Sequence, residues 1–340
     1  MNVNWSRTIW VAAILCATML AVSCQKKVTG PSETRSILGT TVTLTIYDPG
    51  HQPAELKKLF DEQFAFMADW EKRALKPGPD NQVQHISTGA GVQSVTTDQD
   101  VFQMLMKAIR LYDASGQVFD IRYGPMLDAW GFDNHPHVPS QAQLDTLKAY
   151  VVDGGMFVAG NGILLAKQGM RFDVRELVEG YVFDLVASRL AEKGIHSAAI
   201  HSPHVWRLMG DPPEQRGFRV SLGHPLTGDS AWAEVWAQAG GIAYAAANKD
   251  RFEANGKSYH SLLDPRNGMP ASNVLGTVVQ SADAATAQAL AYAVFVHGTV
   301  DSLDKSGQVA VSGSALFSGS ADHPQVNASG SLAHRVDIGK

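Results

Sequence analysis

A chain of 340 residues, 45% of them apolar and 18% charged, is long enough for one large domain or two lobes around a sizeable core. Its net charge is −5, with Lys, Arg, Asp and Glu scattered and no basic block, which argues against nucleic acid as a partner. No repeat of solenoid period is present, so a stacked array is excluded as well.

The first residues carry the most specific processing signal. Arg7 supplies a short positive region, and Ile9 to Val22 is an apolar run too short for a membrane span. It ends in Leu20-Ala21-Val22-Ser23-Cys24, which resembles the bacterial lipobox. Small residues at Ala21 and Ser23 suit a signal peptidase, and Cys24 becomes the lipidated first residue. An ordinary signal peptide or a signal anchor is the alternative. Several acyl chains on one cysteine anchor stably where one does not. The expectation is a signal peptide over 1–23 and a tether over 24–33, with the protein lipid-anchored in the bacterial cell envelope on the periplasmic side. Gln25, next to the cysteine, favours the outer membrane. Cys16 leaves with the signal peptide, so the mature chain has no internal disulfide and relies on its core.

Thr34 to Tyr47 alternates around Val42, Leu44 and Ile46 as a strand does, with Leu38-Gly39-Thr40 near its entry. Ala54 to Arg73 has helical spacing through Leu56, Phe60, Phe64 and Met67. Lys76 to Asn81 is a loop, and Asp98 to Ala114 a second helix. Glycines beside large aromatics from Gly116 to Phe132 suit either a pocket wall or a packed turn. Gln141 to Tyr150 is a short helix, and Met156 to Ala166 a hairpin around Gly160-Asn161-Gly162.

Phe172-Asp173-Val174-Arg175-Glu176-Leu177-Val178-Glu179-Gly180-Tyr181 then reads as a charged turn between a strand and a helix over Val182 to Lys193. Such turns aim helix-start N–H groups outward and hold phosphate, yet this one carries two glutamates. His201 and His204 follow a strand; without a third ligand at metal spacing they read as a solvated or satisfied pair. Phe218 to Leu222 and Trp232 to Ile242 are strands, and Tyr244 to Asn248 a bend of small side chains. Arg266, in Asp264-Pro265-Arg266-Asn267-Gly268, is placed to fork onto a phosphate or carboxylate. Val274 to Gln280 is a strand, Ala284 to His297 an Ala-rich helix, and Val309 to Phe317 a late strand before a Ser/Gly-rich tail.

In this order the pieces resemble the FAD:protein FMN transferase family, the ApbE-like lipoproteins, over nearly the whole mature chain. The resemblance rests on Leu38-Gly39-Thr40, Val118-Phe119-Asp120, Gly124-Pro125 and Trp130-Gly131-Phe132. It continues through Asp173, Gly180, Tyr181 and Asp184, then Tyr259, Asp264, Pro265, Arg266, Gly268 and Pro270, and ends in Ala289 to Gly298. It implies an α+β fold, two-lobed, of mixed sheets and helices around a central cleft, over residues 34–317, with 318–340 as a C-terminal segment. It implies FAD and Mg²⁺ as cofactors, and transfer of FMN to a threonine of a flavoprotein acceptor in a redox complex. Carried over residue by residue, cofactor contacts fall on Leu38, Asp120, Asp173, Glu179, Tyr181, Tyr259, Asp264 and Arg266. Metal ligands fall on the Val178 carbonyl, Gln288 and Tyr292.

The departures fall on the roles such chemistry needs: a cation for the phosphates, a metal for developing charge. Arg175 and Glu176 stand where the family has paired glycines, and Glu179 where it has a lysine. At ~4 Å and an effective dielectric of about 20, that reversal is worth several kcal/mol against phosphate. Gln288 replaces the metal-ligating aspartate and Tyr292 the ligating threonine. The T-S-G bend is Ala245-Ala246-Ala247, Asn267 follows D-P-R, and Ser-His is transposed to His260-Ser261. Asp283 and Thr286, just upstream of Gln288, are candidates for a shifted metal site. No catalytic residue is assigned. Glu176 and Glu179 are expected to pair with Arg175 or Arg266 unless the site binds ligand. Three readings stay open: a divergent FMN transferase with a rebuilt site, a flavin- or nucleotide-binding protein without turnover, and a lobe that docks a partner.

Overall fold

The computed structural model describes residues 30–151, 155–272, 274–300 and 309–339. The signal peptide, Cys16 and Cys24 lie outside them, as does the tether up to residue 29. Ser32 and Glu33, read as tether, already belong to the first strand.

In chain order the elements are β1 (Ser32–Ile37), β2 (Thr40–Ile46), α1 (Pro53–Ala74), α2 (Gln82–Thr88), β3 (Val95–Thr96) and α3 (Gln99–Ala114). There follow α4 (Gly124–Trp130), α5 (Gln141–Val151), β4 (Met156–Ala159), β5 (Gly162–Leu165) and α6 (Arg175–Glu192). Next are β6 (Ala198–His201), β7 (Val205–Met209), β8 (Phe218–Gly223), β9 (Ala231–Ala237) and β10 (Gly240–Ala246). The chain ends with β11 (Phe252–Ala254), β12 (Lys257–Tyr259), β13 (Leu263–Asp264), β14 (Met269–Pro270), β15 (Gly276–Ser281), α7 (Ala284–His297), β16 (Val311–Gly319), β17 (Pro324–Gly330) and β18 (Val336–Ile338). This is an α+β fold.

Its centre is an eight-stranded sheet in the order β1-β2-β6-β7-β10-β15-β16-β17, with every neighbouring pair antiparallel. Helices α1, α3, α6 and α7 cover one face, where Phe64, Met67, Leu105, Phe183 and Leu290 build the main core. The other face carries the sheet β18-β9-β8 and a second core around Trp206, Trp232, Val235 and Phe317. Helix α7 is apolar on all sides and buried over nearly its whole length, as a helix clamped between a sheet and other helices must be. Two glycines allow that clamp. A Cβ at Gly180 of α6 would sit 2.5 Å from the Ala284 carbonyl, and one at Gly241 of β10 would sit 2.2 Å from the backbone of Asp283 and Ala284.

The hairpin over 156–166, the helices over 54–73, 98–114, 141–150 and 284–297, and the late strands form where periodicity and capping residues placed them. Five segments differ. Thr34 to Tyr47 is the hairpin β1–β2 rather than one strand, turning at Leu38 and Gly39, both at positive φ. Trp232 to Ile242 splits into β9 and β10, which enter different sheets, with the break at Gly240 in a positive-φ conformation. Tyr244 to Ala246 is strand rather than bend, because Ala243 and Ala245 lie against the main core, where larger residues would not fit beneath α7. Helix α6 begins at Arg175 rather than Val182, with Glu176 out of helical geometry at φ −84 and ψ 15. The C-terminal segment forms β17 and β18, antiparallel to β16 and β9; its weakly apolar alternation at Val326, Ala328, Val336 and Ile338 is completed by partners distant in sequence.

Candidate functional site

A cleft of about 1070 Å³ opens between the β1–β2 turn, the C-terminal end of α1, helix α2, the loop Gly169–Val174, the start of α6 and the turn Asn248–Asp250. Leu38 forms its rim in the left-handed region at φ 57, an uncommon conformation for a branched side chain, which turns β1 tightly into β2. Met170, Phe172, Val174 and Val178 give one wall an apolar surface.

Polar groups enter through the loop before α6. Asp173 donates its backbone N–H to the Ile121 carbonyl at 2.7 Å, and its buried carboxylate accepts from the Arg175 backbone N–H and Nε at 3.1–3.2 Å. Arg175 reaches on to Asp133 at 2.9 Å, and Arg171 pairs with Asp128 at 2.7 Å. Burial works against the Arg175 charge, but Asp173, Tyr123 and Asp133 more than offset it and its pKa rises.

At the kink in α6, Gln288 from α7 bridges backbone to backbone. Its Nε2 donates to the Arg175 carbonyl at 3.0 Å and its Oε1 accepts from the Gly180 N–H at 2.8 Å. Tyr292, one turn along α7, donates its hydroxyl to the Leu263 carbonyl and packs its ring against Phe119 and Tyr123. Asp283 is the N-cap of α7, accepting from the Thr286 N–H at 2.8 Å and hydroxyl at 2.9 Å, and it pairs with Lys107 at 3.0 Å. Asp184 accepts from the Ala284 and Ala285 N–H groups and pairs with Arg207 at 3.0 Å; burial first and Asp283 second push it up to about 6.

These residues do not fit a magnesium ion. Of the three positions where the family resemblance places metal ligands, the side chains of Gln288 and Tyr292 are engaged with backbone, and the Val178 carbonyl alone, a single neutral oxygen, does not make a site. Asp283 and Thr286 form a helix cap neutralised by a lysine, so the shifted site does not form. No three His, Cys, Asp or Glu side chains among the described residues make a group able to hold a metal.

Glu176 pairs with Lys249, from the turn after β10, and not with Arg175 or Arg266. Among the described residues Glu179 is in no ion pair. The neighbouring Ser202 Oγ accepts from the His204 and Val205 N–H groups at 3.1 Å. Oε1 of Glu179 is buried without a hydrogen-bond partner. Burial pushes Glu179 up to about 7 and Glu176 adds to this, while Ser202 and Lys249 oppose it. A chamber of about 20 Å³, lined by Glu176, Glu179, His204, Lys249 and Gln288 among others, adjoins the cleft. His204 stacks on Tyr244 and is held down to about 4 by burial and Lys249. His201 lines a different cavity, beside Trp206, so the two histidines do not act as a pair.

Of the residues proposed from sequence, Leu38, Asp173, Val178 and Glu179 line the cleft. Asp120 lies behind it, forked by Arg122 at 2.7–3.1 Å. Tyr181 turns away to pack edge-on against Trp70. Tyr259 packs on Trp130 and Phe252, and Arg266 forks onto its neighbour Asp264 at 2.7–2.8 Å instead of facing the cleft. From that motif the Ser261 hydroxyl donates at 2.6 Å to Asp250, which lines the cleft. His260 points the other way, its Nε2 on the Ala271 carbonyl. Sequence reasoning missed Lys249 and Asp250; their signal is two charges placed directly after a strand of buried small residues. Five carboxylates and three cations line the cleft, and each of those cations is in an ion pair.

Comparison with known proteins adds the following. Residues 38–310 match the ApbE family. The FAD:protein FMN transferase of Haemophilus influenzae is 24% identical over 305 residues, covering 86% of this chain and 88% of that protein. Among solved structures, the ApbE protein from Thermotoga maritima aligns with a TM-score of 0.75 at 19% identity, over 90% of this chain and 98% of that one. The flavin transferase ApbE from Vibrio cholerae aligns with a TM-score of 0.73 at 20% identity, over 90% of this chain and all of that one.

Proposed function

We propose, for a chain that belongs to the ApbE family, an exported lipoprotein that keeps the family's flavin cleft but does not carry out magnesium-dependent FMN transfer from FAD. One observation carries this reading. Gln288, where the family resemblance places a metal-ligating aspartate, spends both ends of its amide on the Arg175 carbonyl and the Gly180 N–H. A neutral amide so engaged has neither the charge nor the spare lone-pair geometry that Mg²⁺ requires of oxygen ligands. The chain's own residues keep the cleft in shape: Arg175 orders the loop before α6 through Asp173, and Lys249 ties the turn after β10 to Glu176.

The test is incubation with FAD, Mg²⁺ and a flavoprotein domain bearing an acceptor threonine, with the Vibrio cholerae protein run in parallel. Covalent flavin is read as fluorescence in a denaturing gel. The acceptor should stay unlabelled by this chain and be labelled by the relative; labelling by this chain overturns the reading. A second reading, FMN transfer by a rebuilt site, is favoured by the retained Asp173, Gly180, Tyr181, Asp184, Asp264 and Arg266 and by the size of the cleft. Anchoring is supported by the lipobox alone: Cys24→Ser should release the protein from the membrane fraction, and retention there would remove that part of the proposal.

A further inference from the structure

The charges around the cleft determine which flavin it accepts. A pyrophosphate needs a cation with donors to spare. Arg171 is forked onto Asp128, Arg175 onto Asp173 with a branch to Asp133, and Lys249 is paired with Glu176. Engaging any of them strands a carboxylate, and two of those carboxylates, Asp173 and Glu176, are buried. Breaking such a pair leaves an uncompensated buried charge.

Glu179 adds an independent pointer. Its Oε1 is buried without a hydrogen-bond partner although the residue lines the cleft. An unpartnered buried acceptor is costly until a donor reaches it. The ligand that completes this site therefore brings hydrogen-bond donors and no negative charge. Its planar part is received by the apolar wall of Met170, Phe172 and Val178.

Resting on the flavin-cleft reading above, we propose that the cleft is selective for the phosphate-free flavin, an uncharged ring carrying N–H and ribityl hydroxyl donors, over FMN and FAD. One of those donors meets Glu179, and the remaining hydroxyls face the carboxylates of Asp133 and Asp250. Selectivity then runs opposite to the demand of an enzyme that must hold the FAD pyrophosphate.

The experiment titrates the full chain, kept in detergent, with riboflavin, FMN and FAD by flavin fluorescence at pH 8, without Mg²⁺, at low and high NaCl. Riboflavin should bind at least about tenfold tighter than FAD, with the gap shrinking as salt screens the phosphates from the carboxylates. Glu179→Gln should narrow the gap severalfold, because it removes the negative charge that opposes the phosphates. FAD binding as tightly as riboflavin, or a gap unmoved by both salt and Glu179→Gln, overturns the inference and leaves the flavin cleft standing. Failure of all three flavins to bind overturns both.

Discussion

Replacing Glu179 by glutamine isolates the energetic cost of the acid in the cleft. Burial, with a smaller contribution from Glu176, raises this carboxyl from 4.5 to about 7, against the opposing effects of Ser202 and Lys249. The folded state thus binds the proton more tightly than the unfolded state. The stabilising effect is fully present below about pH 4.5 and is lost as pH rises through about 7, where folding must keep an ionised carboxylate out of water. The interval between those values corresponds to about 3 kcal/mol at most, and the loss of Lys249's weak attraction brings the net gain to about 1–3 kcal/mol. Glutamine has nearly the same shape and never ionises. Glu179→Gln should therefore be more stable than the parent at pH 8 by that amount and equal to it at pH 4.5. Urea unfolding of both proteins at pH 4.5, 6 and 8 measures the difference, and pairwise subtraction removes the other titrating groups. A variant less stable than its parent at pH 8 would refute the reasoning: Glu179 would then be an ionised member of a favourable network with Lys249.

Gln288→Asp should destabilise the protein by about 2–3 kcal/mol in urea unfolding, since the shorter carboxylate leaves the Arg175 carbonyl without its donor, and millimolar Mg²⁺ should not restore the loss. Gly180→Ala should cost at least about 2 kcal/mol and lower the thermal midpoint, because its Cβ would meet the Ala284 carbonyl at 2.5 Å with backbone on both sides. Tyr292→Phe should cost about 1–2 kcal/mol by leaving the buried Leu263 carbonyl unpaired, with flavin titrations unchanged because Tyr292 does not line the cleft.

Much of the fold was legible because its elements announce themselves locally. The stripe Phe60, Phe64, Met67 in α1, the helix start at Asp98 and the Ala-rich run from Ala284 each act within a few residues of where they are read. The misread segments are those whose conformation depends on distant partners. Tyr244 to Ala246 carries no strand signature of its own and is extended because it pairs with Gly276 to Val278 of β15. β17 and β18 are held by β16 and β9 in the same way. At the site, sequence marked Glu179, which lies on α6 and lines the cleft, as a departure within a charged turn. It could not name the partner of Glu176, because Lys249 lies 73 residues away and meets it only when β10 runs under α6 and α7. Arg266 misled for the opposite reason: its fork is satisfied two residues away by Asp264, a local bond that sequence alone does not distinguish from a waiting ligand site.

The substitutions at the centre of the site are coherent when followed atom by atom. An aspartate at position 288 would need counter-charge or a cation; the glutamine there needs neither, since its amide supplies the donor that the Arg175 carbonyl uses and the acceptor that the Gly180 N–H uses. Tyrosine at 292 fills the volume beside Phe119 and Tyr123 and caps a carbonyl of the neighbouring loop. Asp283 and Asp184, the acids left nearby, are consumed by the first turn of α7 and by Lys107 and Arg207. The polar atoms that face one another between α6 and α7 are thus satisfied by protein alone, apart from Oε1 of Glu179. Helix packing then suffices to hold the shape of the cleft. What remains for a ligand to satisfy is two buried acceptors of cleft-lining residues, Oε1 of Glu179 and Oδ1 of Asn248, beside an apolar wall, which is why the ligand expected there is a neutral donor.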